Sequence, residues 1–302
     1  MSGDRAGVSV IVCVGPVTSG LRACLASLAT QDGIQDAEVL LADGSEGTAT
    51  EFIGTEYPWV RHLRLPPASM PVLKGQAIRS ARGDIIAILD PVDTAEADWL
   101  REARRGLADG ASAVGGAVLL AEETTTASLA ASLFEYGAFT PPLVAGATDG
   151  DLPGNNVAYT RQALVQGCED LLAEGFWKPF CHRRIRQQGG RLAIHPAMRV
   201  RHHARYGLRA VGARFWQFGR CFGAMRMTHE ESGRRRLLYR TLGPTVPLLL
   251  IVRHTTRTLA HPHNRRHLPR AGLALAGICV AWGVGECLGS WFGAGASCAR
   301  VR

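Results

Sequence analysis

The chain has 302 residues, 46% of them hydrophobic and 20% charged, with a formal net charge of +8; these are the proportions of a folded protein with a sizeable core. The charge is unevenly spread: from Arg199 to Arg270 sixteen arginines and no lysine face only Glu230 and Glu231, so an acidic part precedes a basic one. Long apolar runs interleave with that basic stretch and no groove-reading motif accompanies it, which argues against nucleic acid and towards lipid headgroups.

Met1 to Gly7 is short and polar and reads as no signal peptide. Val8 to Val14 follows as a buried strand, then a loop from Gly15 to Gly20, then Leu21, Cys24, Leu25 and Leu28 at helical spacing. Gly15 and Gly20 have the spacing of a phosphate-binding loop, but Leu21 stands where its lysine is needed, and no GxGxxG pattern is present. Glu38 to Ala42 is a second strand, ending in Asp43-Gly44-Ser45, and a third runs near Val60 to Leu65. Pro66-Pro67 breaks the chain before a helix around Val72 to Ala81 that carries Lys74.

Five consecutive apolar residues, Ile85 to Leu89, predict a strand covered on both faces, as in a parallel sheet flanked by helices. Asp90 and Asp93 follow where it ends, and open α/β sheets bind ligands outside the carboxyl ends of their strands. Asp90 is the better ligand candidate. Asp93-Thr94-Ala95-Glu96 also fits a capping box for a helix near Ala95 to Leu107. Ala113 to Leu120 is the next strand, and the βαβα alternation implies right-handed crossovers and a mostly parallel sheet.

A helix and a Gly/Pro-rich loop lie between Thr124 and Pro153; Gly154 to Tyr159 is a turn entering a short strand. Glu174 to Lys178 leads into a helix ended by Gly189-Gly190, Arg191 to Ile194 is a strand, and Val200 to His203 sits at a turn edge. A basic helix with Phe215, Trp216, Phe218 and Phe222 starts at Gly207. Leu237 to Val252 should be a helix broken at Pro244 and Pro247. Ala271 to Gly293 is 23 residues with a single charge, Glu286; spanning a bilayer takes about 20. Gly277, Ala281, Gly285, Gly289 and Gly293 recur every four residues there, a small-residue stripe that suits close approach of a second membrane helix. The eight cysteines form no CxxC pair, have no metal-ligand spacing and fit a reducing cytosol.

Taken together, Val8 to Val12 with Gln31, Asp43-Gly44-Ser45, Ala81-Arg82-Gly83-Asp84 through Asp90, Gly154 to Tyr159, Glu174 to Trp177 and Pro196 to His202 resemble, in order, the motifs of an inverting family 2 glycosyltransferase with a GT-A fold. The match covers roughly residues 8–225. It implies an α/β GT-A domain over residues 1–230; the apolar runs and basic connector beyond it predict a basic, hydrophobic helical tail over 231–302 that associates with the cytoplasmic side of a bacterial-type cell membrane. The implied activity moves a sugar from a UDP- or GDP-sugar to a lipid-linked, glycan or cell-envelope acceptor, with Mg or Mn as the divalent metal. By resemblance Asp43 contacts the nucleotide base, Lys74 lies near the nucleotide, Asp90 approaches metal and diphosphate, and His202 is a further metal or phosphate contact. Asp93, Asn155 and Trp177 are further donor-site candidates; Asn155 otherwise shapes a turn and Trp177 packs between helix and sheet. Glu174 is the candidate base. The pattern departs at Val92, which stands two residues after Asp90 in place of an acid, at Ala42, at Gly175 and at Lys178. The alternative reading is a nucleotide-sugar-binding scaffold that keeps the fold without turnover.

Overall fold

Apolar strands have to be covered on both faces, and the runs Val8–Val14 and, but for its first residue, Ile85–Leu89 are buried throughout. β1 (Val8–Val14), β2 (Ala37–Asp43), β3 (Val60–Arg64) and β4 (Ile85–Leu89) lie parallel in the order β3-β2-β1-β4. A computed structural model describes residues 7–16, 19–46, 50–121, 124–230 and 232–301; Met1–Ala6, Val17 and Thr18 of the first loop, and Glu231 lie outside them. Two compact units divide the chain, Met1–Leu119 with Pro141–His203, and Leu120–Thr140 with Ala204–Arg302.

Beyond β4 the sheet of the first unit changes character. β5 (Asp93–Ala95), β6 (Ala113–Leu120), β7 (Gly146–Ala147), β8 (Asn156–Thr160) and β9 (Leu192–His202) continue it as β4-β8-β6-β9-β5, with β7 on β9. β8 runs antiparallel to β4 and β6, and β9 runs antiparallel to β5 and β7. The sheet is therefore mixed, not mostly parallel. The antiparallel partners are remote in sequence, β4 with β8 and β5 with β9, so no local spacing announces them. β9 is one strand of 11 residues where two fragments were expected, because Pro196 interrupts its pattern but not its extended backbone. At Gly116 a β-carbon would run into the Met198 carbonyl and the Asn156 amide, so β6 meets β9 with no side chain between them.

The helices of this unit are α1 (Leu21–Ala29), α2 (Phe52–Glu56), α3 (Met70–Ser80), α4 (Trp99–Ala108), α6 (Glu169–Glu174) and α7 (Lys178–Gln187). α1 buries Leu21, Cys24, Leu25 and Leu28, the four positions given by its spacing. α3 starts at Met70 with Pro71 in its first turn, where a missing N–H costs no helical bond.

The second unit is helical: α5 (Thr126–Tyr136), α8 (Leu208–His229), α9 (Gly233–Leu242), α10 (Val246–Ala260) and α11 (Leu268–Phe292). The sequence set a boundary near residue 230; in the structure α8 and α5 pack in this unit around Val211, Phe215, Leu275, Ile278 and Cys279. The break at Gly243-Pro244 between α9 and α10 is where the prolines put it. α11 is long and apolar enough to cross a membrane, yet its small-residue stripe is used inside the chain. Added β-carbons at Gly285 and Gly289 would strike the Trp216 and Arg220 carbonyls of α8, and at Gly219 and Gly223 those of Trp282 and Glu286 on α11. The close partner is α8, in place of the second membrane helix the stripe suggested. Glu286 is paired with Arg226 and accepts from Trp282 Nε1 at 2.9 Å, so its burial carries a partner. Cys221 of α8 and Cys298 form a disulfide across 77 residues, correcting the expectation of eight reduced cysteines; α8 packing brings the carboxyl-terminal segment onto it.

Gly289→Val should lower the stability of the full chain by about 3 kcal/mol or more, since backbone has to move to admit the side chain. Gly277→Ala, on the same stripe but with nothing within 4 Å, should leave stability unchanged or raise it by up to about 1 kcal/mol through helix propensity. Chemical denaturation of both variants measures the contrast; equal losses would remove α8 as the stripe's partner.

Candidate active site

Because β1, β2 and β4 are parallel, their carboxyl ends collect on one edge of the first unit, and Asp43 and Asp90 stand there. Asp43 ends β2 and is 3% exposed. Its Oδ1 accepts from Ser45 N at 2.9 Å and Ser45 Oγ at 2.5 Å; its Oδ2 accepts from Thr50 Oγ1 at 2.6 Å and His62 Nε2 at 2.8 Å. Burial by itself would raise this carboxyl, but the bonds from Ser45, Thr50 and His62 outweigh it and hold the group below its usual range. A carboxylate offers about four acceptor positions, and here all four are taken. A nucleobase reaching Asp43 displaces one of these partners.

Lys74 of α3 and Asp90 meet at the same edge, Nζ to Oδ1 at 2.6 Å, with side chains 12% and 24% exposed. Burial opposes the lysine's charge, yet the attraction and hydrogen bond of Asp90 lift its pKa above the ordinary value. Burial pushes the neighbouring Cys13 thiol up to about 12, so it stays neutral. Lys74 is thus a fixed cation with two further N–H donors beside the strand ends.

Asp93 behaves differently three residues on. A turn closed by Asp93 N to Asp90 O at 3.0 Å reverses the chain, and β5 then pairs Asp93 with His202 of β9. The Asp93 carboxylate is fully buried, accepting from His202 Nδ1 at 2.6 Å and Asn155 Nδ2 at 2.8 Å. Burial raises its pKa, with His202 pulling the other way. The capping-box reading fails: α4 begins at Trp99, with Asp98 before it. Asn155 is not a simple turn former either, since it holds Asp93, while Asn156 accepts from Trp99 Nε1 at 2.8 Å and donates to the Ala117 and Met198 carbonyls.

These residues do not make a cage for a divalent ion. Asp90 already carries an ammonium, the Val92 side chain has no donor atom to offer, and Asp93 spends its oxygens on His202 Nδ1 and Asn155 Nδ2. Among the described residues no three His, Cys, Asp or Glu side chains converge as ligands. The expected Asp90 and His202 metal pair is thus not extended by a third such ligand. Glu174 is exposed at the end of α6 and takes no part in the bonds above; Trp177 is nearly buried ahead of α7.

Lys178, which stands where an acid was expected, reaches Asp151 Oδ2 at 3.1 Å and the Leu152 carbonyl at 2.6 Å. Asp151 also holds His182 Nδ1, and Tyr159 donates to His182 Nε2 at 2.6 Å. The chain Asp151–His182–Tyr159, buried at His182 and Tyr159, escaped the sequence reading because its members lie on a loop, a helix and a strand with no shared spacing. Burial lowers the His182 pKa and keeps the ring neutral. A cleft of about 530 Å³ lined by Asp84, Arg104 and Arg161 lies at the amino end of β4, away from Asp90.

The Asp43 ring has a pH signature. A native pKa below the ordinary 3.8 means that its stabilisation is complete above about pH 4 and is lost as pH falls through the native value. Asp43→Asn should cost about 2 kcal/mol at pH 7, and the gap in melting temperature to the unsubstituted chain should close on acidification below that point. A gap that is constant with pH would show that the ionised carboxylate is not what the ring holds.

No protein-family model matches the chain, and no curated protein does. Solved structures do share its fold. A mannosyltransferase from Pyrobaculum calidifontis, solved with GDP-mannose and Mn2+, aligns over 91% of this chain and 75% of its own, with TM-score 0.52 and 19% identity. TarS from S. aureus, in residues 1–349 with UDP, aligns over 91% and 90% with TM-score 0.50 and 12% identity, and without UDP over 93% and 90% with TM-score 0.52 and 13% identity. At these identities the likeness is one of fold.

Proposed function

We propose that this chain is an inverting glycosyltransferase whose donor, a UDP- or GDP-sugar, binds at the carboxyl ends of β1, β2 and β4. The observation that carries the reading is the Lys74–Asp90 pair at 2.6 Å on that edge, in a fold shared with transferases solved with GDP-mannose or UDP. The chemistry suits the place. Loss of a nucleoside diphosphate develops negative charge on the leaving oxygen, and a cation fixed beforehand stabilises it without reorganising. Attack of an acceptor hydroxyl from the opposite face needs a base, and Glu174 is the carboxylate proposed for it. Asp93, Asn155 and His202 hold the donor floor in shape, and Trp177 shapes its acceptor side.

The acceptor we propose is lipid-linked or part of a cell envelope, met at a cytoplasmic membrane surface. In the second unit Leu237, Leu238, Leu242, Leu248, Leu249 and Val252 are each about half exposed or more. Arg234, Arg235, Arg236, Arg240 and Arg253 are exposed on the same two helices, α9 and α10. Leucine with arginine is the composition of helices that lie in an anionic lipid interface.

Incubation with a panel of UDP- and GDP-sugars, read as nucleoside diphosphate release and sugar transfer, tests the assignment. Turnover with one donor is expected. Glu174→Gln should lower it by about 10²- to 10⁴-fold, the usual worth of a positioned base, while donor affinity stays nearly intact. Full turnover in that variant moves the base elsewhere, and donor binding without any turnover favours the scaffold reading.

A further inference from the structure

The clash between the expected metal site and the residues present has a chemical resolution, and it rests on the donor reading above. We propose that Lys74, seated on Asp90, is the cation of the diphosphate site, so that this chain binds its nucleoside diphosphate without a divalent metal. Three observations converge. Asp90, the carboxylate at the strand end, is already neutralised by Lys74 at 2.6 Å. A divalent ion on that carboxylate lies beside an ammonium of the same sign, which penalises it. Val92 replaces the second oxygen ligand with an isopropyl group. Asp93, the nearest remaining acid, is fully buried and spends one oxygen on His202 and the other on Asn155.

Lys74 is also suited to the work. Asp90 occupies one of its three N–H donors and fixes the ammonium in place, leaving two for phosphate oxygens. The four-carbon stem rises from α3, whose Gly75 is pressed so closely on the Leu172 carbonyl and Gly175 that no side chain fits. Helix and lysine are thereby fixed against α6. Asp90 thus acts as a positioning residue for Lys74, and its own negative charge is a cost to the incoming diphosphate.

The two arrangements predict opposite signs for one substitution. If Asp90 is a metal ligand, Asp90→Asn abolishes nucleotide binding. If it is the counter-ion of Lys74, Asp90→Asn keeps an oxygen for the ammonium to donate to, removes the negative charge and tightens metal-free binding by about two- to tenfold, the effect of removing one unfavourable charge from a partly exposed site. Isothermal titration of the full chain with UDP and with GDP, in EDTA and in millimolar Mn2+, reads both. The expected result is that the preferred nucleotide binds in EDTA within about threefold of its affinity in Mn2+. Lys74→Met should then weaken it by about ten- to a hundredfold, the loss of a charge-assisted contact, and Lys74→Arg should retain metal-free binding. Should Lys74→Met not fold, the sign of the Asp90→Asn effect decides alone. Binding that requires Mn2+ and disappears in Asp90→Asn overturns the proposal and leaves the donor reading standing. Failure of both nucleotides to bind under either condition overturns the two together.

Discussion

A strand made of Ile85, Ile86, Ala87, Ile88 and Leu89 has nothing to offer water, and the first unit is built to cover it. β1 supplies one parallel neighbour and β8 an antiparallel one. The cost of burying charge keeps every acid out of this strand, so the polar groups accumulate where it stops. Asp90 is the first of them. The register with β8 then sets what faces it: Leu89 is opposite Asn156, which places Asn155 one residue further along, within 2.8 Å of Asp93. The polar edge is a consequence of apolar strands ending in register.

Two carboxylates only three residues apart meet opposite fates there. Asp90 keeps a quarter of its surface and pairs with a long, flexible lysine. Asp93 is carried by the intervening turn into the sheet, where it bridges β5, β9 and the loop before β8 with no exposure at all. Burial raises the Asp93 pKa, which is tolerable for a group that holds a fold together through hydrogen bonds. One edge therefore holds two kinds of polar group: Asp90 and Lys74 stay partly exposed, and Asp93, Asn155 and His202 are buried.

The parallel half of this architecture was legible because its code is local. Continuous apolar runs, a proline at the start of α3 and the helical spacing of Leu21, Cys24, Leu25 and Leu28 each need only neighbouring residues to be read. The antiparallel half is written in pairs. Gly116 matters because Met198 lies over it, and Asn156 because Trp99, Ala117 and Met198 surround it; neither partner is visible from one position alone. Asp93 illustrates the trap. Its sequence neighbours satisfy a capping box, but the pairing with His202, 109 residues away, satisfies the carboxylate more fully and leaves the helix to begin later. Asp90 and Lys74 were named from the sequence separately, and their contact came from the fold.

The same limit applies to α11, where composition and packing give different answers. Length, a single acid and a glycine stripe describe a membrane span. The stripe, however, has a matching one on α8, with Gly219 and Gly223 set against Trp282 and Glu286 while Gly285 and Gly289 meet Trp216 and Arg220. Three arginines then serve the carboxyl half of α11: Arg226 pairs with Glu286, Arg240 donates to the Ser290 carbonyl at 3.1 Å and Arg220 to that of Gly293 at 3.2 Å. Placing α11 across a bilayer takes those guanidiniums into hydrocarbon with it, at a cost of several kcal/mol even on the lenient scales. Part of its apolar surface is spent against α5, α8 and α10, while Leu273, Val280, Trp291 and Phe292 stay exposed. The exposed leucines of α9 and α10, flanked by arginine, add to this surface of lipid-like chemistry, and the basic residues of the unit neutralise helix ends and one buried acid inside and present positive charge outside.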